Sequence, residues 1–87
     1  MSRRGDEWVK FAELVHDHIE SYTVPQYGDA PDDRAADFTP EYCMTEAKKY
    51  CLRHFSGQRG RDDLMRDLFK LAHFACLCHA KETASEQ

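Results

Sequence analysis

Several things this chain lacks limit what it can be. It has no run of about 20 apolar residues, so no segment reads as a membrane-spanning helix. The start, Met1-Ser2-Arg3-Arg4-Gly5-Asp6, leads into no apolar signal segment, and the expected location is therefore the cytoplasm. No serine lies in a Gly-x-Ser-x-Gly turn, and no glycine-rich phosphate loop follows a strand pattern, so the common signatures of acyl and phosphoryl transfer are missing. Asp29-Ala30-Pro31-Asp32-Asp33 lacks the alternating oxygen ligands and closing glutamate of a calcium loop. Positive charge is not in excess: 12 Lys and Arg face 16 Asp and Glu, for a net charge of -4. Attraction to a polyanion or an anionic membrane must then come from a local patch.

Glycine and proline are scarce too, at four and three residues, and apart from Gly5 they fall between residues 25 and 60. Long regular elements are free to form on either side. With 87 residues the whole chain, 1–87, reads as one domain, its core over about 6–81 and its tail, 82–87, predicted to fray. Hydrophobic residues at 41% and charged residues at 32% are ordinary for a folded protein. Four cysteines without an export signal read as reduced thiols.

The periodicity is helical throughout. Trp8, Ala12, Val15, Ile19 and Tyr22 recur at steps of four and three, predicting a first helix over 6–22 that stops at Thr23-Val24-Pro25. Residues 23–38 carry Pro25, Gly28 and Pro31 among acidic residues and read as an ordered acidic loop pinned by Tyr27 and Phe38, with a helical turn available at 32–36. Thr39-Pro40 is a strong helix start, since the hydroxyl can accept an unpaired amide and proline at the first position gives up no hydrogen bond. The second helix runs to about Phe55, its inward stripe being Cys43, Ala47, Tyr50 and His54, widened by Met44 and Cys51. Ser56 to Gly60 ends it. A third helix opens at Asp62 or Asp63 and reaches about Lys81. It shows two stripes, Leu64, Leu68, Leu71, Ala75 and Cys78 beside Met65, Phe69, Ala72, Cys76 and His79. The expected fold is all-α, a three-helix bundle, and the surplus apolar face on the third helix predicts a homodimer through it.

Two Cys-Leu-x-His pairs, Cys51 with His54 and Cys76 with His79, suggest zinc. In an antiparallel hairpin bent near residue 58, however, Cys51 faces Arg66 and Cys76 faces Glu41. The pairs then lie about ten residues, or roughly 15 Å, apart, too far for one tetrahedral ion. Cys43 near His73 and Cys76, with Cys78 or His79 one turn further along, is the better zinc arrangement, but small thiols on helical stripes usually serve as packing, so the expectation is no metal and no cofactor. Each histidine is expected to be a satisfied structural residue, with His54 able to bond Asp63 or cap the hairpin.

Charge placement says more than net charge. Residues 29–46 hold six carboxylates against Arg34 alone, whereas residues 48–66 hold Lys48, Lys49, Arg53, Arg59, Arg61 and Arg66 against Asp62 and Asp63. The basic half surrounds the start of the third helix, where free amides favour an anion. Lys49, Arg53, Arg59 and Arg61 are the candidate ligand contacts, although Arg53 can instead pair with Asp63 across the hairpin.

The segments Tyr22-Thr23-Val24-Pro25-Gln26-Tyr27-Gly28-Asp29, Lys49-Tyr50-x-x-Arg53 and Asp67-Leu68-x-Lys70-x-Ala72-His73 resemble a family of small bacterial and prophage-type helical proteins, over about residues 8–81. The resemblance implies no particular activity. A looser similarity joins Lys-Tyr-x-x-Arg, the Gly-rich turn and Asp-Leu-x-x-x-Leu-x-Lys to small phage proteins of nucleotide metabolism, and more distantly to MazG-type pyrophosphohydrolases. Those hold magnesium with Glu-x-x-Glu and a second acidic pair, whereas Glu41 and Glu46 are five apart here and Asp63 and Asp67 four apart. The expected function is a non-catalytic accessory protein that self-associates and uses its basic turn for a phosphate-bearing ligand or an acidic partner. The alternatives are a magnesium-dependent nucleotide hydrolase using Glu46, Asp63 and Asp67, and a structural zinc protein.

Overall fold

The computed structural model describes residues 2–29 and 39–84. Its elements are α1 (Arg3–His18), a π-helical segment (Ile19–Thr23), α2 (Val24–Tyr27), α3 (Pro40–Ser56) and α4 (Arg61–Ala84). No strand occurs among the described residues. The chain is all-α, as its periodicity predicts. The turn expected at 32–36 and the anchor expected at Phe38 lie outside the described residues.

Ser2 starts α1 earlier than the apolar pattern does, because its Oγ accepts the Gly5 N–H at 3.0 Å. The first helical stretch also runs past its expected stop. Between Ile19 and Thr23 the backbone widens to π geometry, with the Val24 N–H donating to the Ile19 carbonyl five residues back. Ser21 Oγ donates to the Asp17 carbonyl at 2.6 Å within the same region. The wider turn eases the clash that proline normally makes with the preceding turn, so Pro25 sits inside α2 instead of ending the helix before it. Gly28, at φ +85°, closes the run, with its N–H donating to the Val24 carbonyl at 2.7 Å.

The second predicted helix is confirmed nearly to the residue. Thr39 Oγ1 accepts the Tyr42 N–H at 3.0 Å, Pro40 occupies the first turn, and Gly57 at φ +71° ends α3 in the left-handed conformation. α4 begins one residue earlier than expected and runs to Ala84.

α4 is the central element. It packs along α3 and, on another side, against α1, while no Cα of α1 comes within 8 Å of one in α3 among the described residues. The α3–α4 hairpin has the expected register to within about a turn: the Cys78 thiol points to the Pro40 carbonyl at 3.8 Å, Tyr42 meets Phe74, and Arg53 meets Asp67. Cys43, Ala47 and Tyr50 form the buried apolar stripe of α3. His54, Met44 and Cys51, expected beside them, are exposed, because Arg53 takes the inward position instead. On α4 the wide apolar face is divided. Phe69 meets Phe11 at 5.9 Å and His18 at 5.5 Å, which covers part of the second stripe with α1, while Leu68, Ala75, Cys76 and His79 stay exposed.

His18 departs from the expected satisfied histidine. It is 9% exposed and stacks on Tyr22 at 5.0 Å, and its Nε2 has no hydrogen-bond partner. Burial, and then the nearby Lys70 and Arg66 charges, hold its imidazole below the ordinary 6.5. Burial, and then His18 itself, do the same to His73. The folded state therefore resists protonation that the unfolded chain accepts. Stability is full above about pH 6.5 and falls as the pH drops through that value toward the folded pKa values. Urea unfolding should show stability falling between about pH 7.5 and about pH 5, and His18→Phe should reduce that fall. A pH-independent midpoint in the parent protein would contradict the placement of His18.

Candidate functional site

At the turn end of the hairpin, cations gather around one carboxylate. Asp67 lies on the α3-facing side of α4 and is 4% exposed. Arg59, in the turn, approaches it with two parallel bonds, Nε to Oδ2 at 3.1 Å and Nη2 to Oδ1 at 3.2 Å. Arg53, from the last turn of α3, adds Nη1 at 3.7 Å from Oδ1. The forked Arg59 contact matches the planar geometry of carboxylate and guanidinium and fixes both groups. Two guanidinium groups on one carboxylate leave a local excess of positive charge.

The neighbouring aromatics extend this cluster. The Tyr50 ring, 9% exposed, stacks on Phe74 at 6.0 Å and carries three cations around it: the Arg53 guanidinium at 5.1 Å, Lys49 Nζ at 5.2 Å and Lys70 Nζ at 5.7 Å. Lys70 also lies 5.4 Å from the Tyr22 ring, so one ammonium links the π-helical segment to α3 across α4. Burial raises the Tyr50 phenol above its ordinary range. Lys49 Nζ bonds Glu46 Oε2 at 2.8 Å, and that bond is the main reason the lysine is held above its usual pKa.

Of the four cations expected to meet a ligand, the structure brings Arg53 and Arg59 together on Asp67 and sets Lys49 beside them on Tyr50. Arg61 stands apart. It opens α4, is exposed, and has no ion pair among the described residues. The first turn of α4 also contains Asp62 and Asp63, which already complement the helix amides there. Asp63 pairs with Arg66 at 3.4 Å and not with Arg53. His54 meets the Phe55 ring edge-on at 5.6 Å and is exposed, in place of the expected bond to Asp63.

The three carboxylates considered for magnesium have separate cationic partners: Glu46 holds Lys49, Asp63 holds Arg66, and Asp67 holds Arg53 and Arg59. Of the thiols expected near Cys43, Cys78 is its neighbour, while Cys76 is exposed. Burial first, then Cys78, raises the Cys43 thiol pKa. Among the described residues, no group of three or more His, Cys, Asp or Glu side chains is placed to hold a metal ion.

The importance of Lys70 and the clamping role of Asp67 are not visible in the apolar pattern, since both interrupt it. The clue was the Asp67-x-x-Lys70 spacing, which puts a carboxylate and an ammonium on neighbouring positions of a helix that also faces two tyrosines. Comparison with known proteins gives no match to any family model, curated protein or solved structure.

Replacing Asp67 by alanine strands two guanidinium groups at a closed interface. They are 31% and 38% exposed and can relax partly into water, which reduces the loss relative to a fully buried pair. Urea unfolding of Asp67→Ala should show a loss of about 2 kcal/mol. A change below about 0.5 kcal/mol would mean the clamp contributes little.

Proposed function

We infer that this chain is a non-catalytic accessory protein that binds a phosphate-bearing ligand or an acidic partner through its basic hairpin end, in the cytoplasm. The supporting observation is the unequal charge around Asp67: Arg53 and Arg59 share one carboxylate, so they stay ordered and only partly neutralised. Lys49 and Arg61 lie on either side of them in the chain. Side chains already held in place lose little freedom when an anion arrives, which favours binding. Lys49, Arg53, Arg59 and Arg61 are the proposed contacts. Closure of the helices into a three-helix bundle belongs to the same proposal, as does the acidic loop expected over 23–38, of which 24–27 are helical, and the Tyr22–Lys70–Tyr50 link supports the closure. Kinship with the small prophage-type helical proteins is also part of it, resting on the Tyr22–Asp29 motif.

A second reading, self-association through α4, is favoured by its outward stripe. Leu64 and Leu71 are half-buried, while Leu68 is 39% exposed and Ala75 is exposed. Leu52 and Met44 on α3 are more than half exposed as well. The two readings are compatible, since a dimer can present two basic ends.

Inorganic pyrophosphate is a suitable probe for the anion reading. Lys49→Glu combined with Arg61→Glu leaves the Asp67 clamp intact and should weaken pyrophosphate binding at least about tenfold by calorimetry. Unchanged affinity would remove the proposal, and turnover of a nucleoside triphosphate with magnesium would replace it with the hydrolase alternative. Light scattering on the parent chain should give twice the monomer mass, falling to the monomer for Leu68→Glu. A monomeric parent would remove the second reading.

A further inference from the structure

The face of α3 turned away from α4 differs in chemistry from the rest of the molecule. Thr45, Lys48, Lys49, Leu52, Arg53 and Ser56 line one shallow, open groove of about 500 Å³ along it. At 100° per residue Thr45, Lys48, Lys49, Leu52 and Ser56 lie away from the buried stripe of Cys43, Ala47 and Tyr50, with Arg53 at the edge of this face, where it also reaches Asp67. No carboxylate lines the groove. Lys48 is exposed without an ion pair among the described residues, and the Lys49 and Arg53 side chains remain 46% and 38% exposed beyond their existing partners.

A second, independent feature lies nearby on the same helix. Phe55 is 82% exposed and meets the ring of its own neighbour His54 edge-on. It is three residues from Leu52 and seven from Lys48, which puts all three on one side of the helix. A phenylalanine left in water gives up roughly 2 kcal/mol of burial. Its ring therefore shares the side of α3 that carries Lys48, while Lys49 and Arg53 lie further round the helix.

We propose that the outer face of α3 binds a short stretch of single-stranded nucleic acid, with phosphates on Lys48, Lys49 and Arg53 and one base stacked on Phe55. The inference rests on the anion-binding reading and specifies its ligand. Cations interleaved with an exposed aromatic ring match the way single strands are held, by backbone charge and by a stacking platform that accepts any base. The net charge of -4 disfavours duplex DNA, which carries one negative charge per about 1.7 Å of axis. From Lys48 to Ser56 the face is roughly 12 Å long, enough for a few nucleotides and no more. An acidic protein would use the cations, but it would leave the ring without a stacking partner.

The test is fluorescence anisotropy of a labelled short oligothymidylate with the full chain, titrated at several salt concentrations. Three phosphate contacts predict a slope of about -2 in log affinity against log salt. Lys48→Glu should flatten that slope by about 0.7 or more, and Phe55→Ala should weaken binding about tenfold while leaving the slope alone. Both residues are exposed, and circular dichroism would verify that the variants fold. Equal affinity for inorganic polyphosphate, with no effect of Phe55→Ala, would overturn the base-stacking role and with it the proposal. Failure of the oligonucleotide to bind at low salt, with pyrophosphate binding intact and sensitive to Lys49 and Arg61, would overturn this inference alone. A Phe55→Ala change that converts a dimer to a monomer without any oligonucleotide binding would assign the surface to a second copy of the chain, and also overturns it.

Discussion

A carboxylate buried between helices is stable only if its charge is answered, and in this protein the answer comes from both sides of the hairpin bend. Asp67 projects from α4 toward α3, where Arg53 from the end of α3 and Arg59 from the turn converge on it. The contact fixes three things together: the register of α3 against α4, the path of the Gly57–Gly60 turn, and the orientation of two cations at one end of the molecule. Little else is available to do this. Among the hydrophobic side chains of the described residues, only Cys43, Ala47 and Tyr50 are buried, so the apolar core they form is small. Ionic specificity adds directional information that a few small side chains cannot supply.

From that hub the polar contacts spread toward α1. Arg53 and Lys49 lie over the Tyr50 ring, Lys70 bridges Tyr50 to Tyr22, and Tyr22 stacks on His18, whose unpartnered nitrogen is enclosed against Phe69. The π-helical segment contains Tyr22, and the extra residue it accommodates shifts the side chains that follow relative to a regular helix. Positive charge is therefore shared between two tasks. Burial, and then Lys70 and Arg66, bear on the His18 imidazole and make α1 sensitive to acid, while Lys48, Lys49 and Arg61 face solvent at the hairpin end and along α3.

How much of this the sequence discloses depends on whether a feature is periodic. The helices of the hairpin follow directly from Thr39-Pro40 and Gly57, because capping is local chemistry and needs no tertiary context. Pairing across the hairpin follows from its antiparallel register. The stop expected at Pro25 does not occur, since a π turn upstream lets proline remain in the helix, and nothing in the apolar spacing announces such a turn. The inward stripe of α3 is legible through Tyr50 and then fails at His54, because Arg53 turns inward to reach Asp67. A pattern built on hydrophobicity cannot foresee a charged residue taking a core-facing position. The candidate basic site is similar: its four cations are evident from composition along the chain, but the commitment of two of them to one carboxylate appears only when α3 and α4 are side by side.

The functional account depends on Arg53 and Arg59 being held by Asp67 and not merely lying near it. A double-mutant cycle by urea unfolding, with Arg59→Ala, Asp67→Ala and the double variant, measures that coupling directly. The account predicts a coupling energy of at least about 1 kcal/mol, because either single change leaves the other group without its partner. Additive losses, within about 0.3 kcal/mol, would show that the two side chains do not act on each other and would remove the constraint on which the placement of the basic end depends.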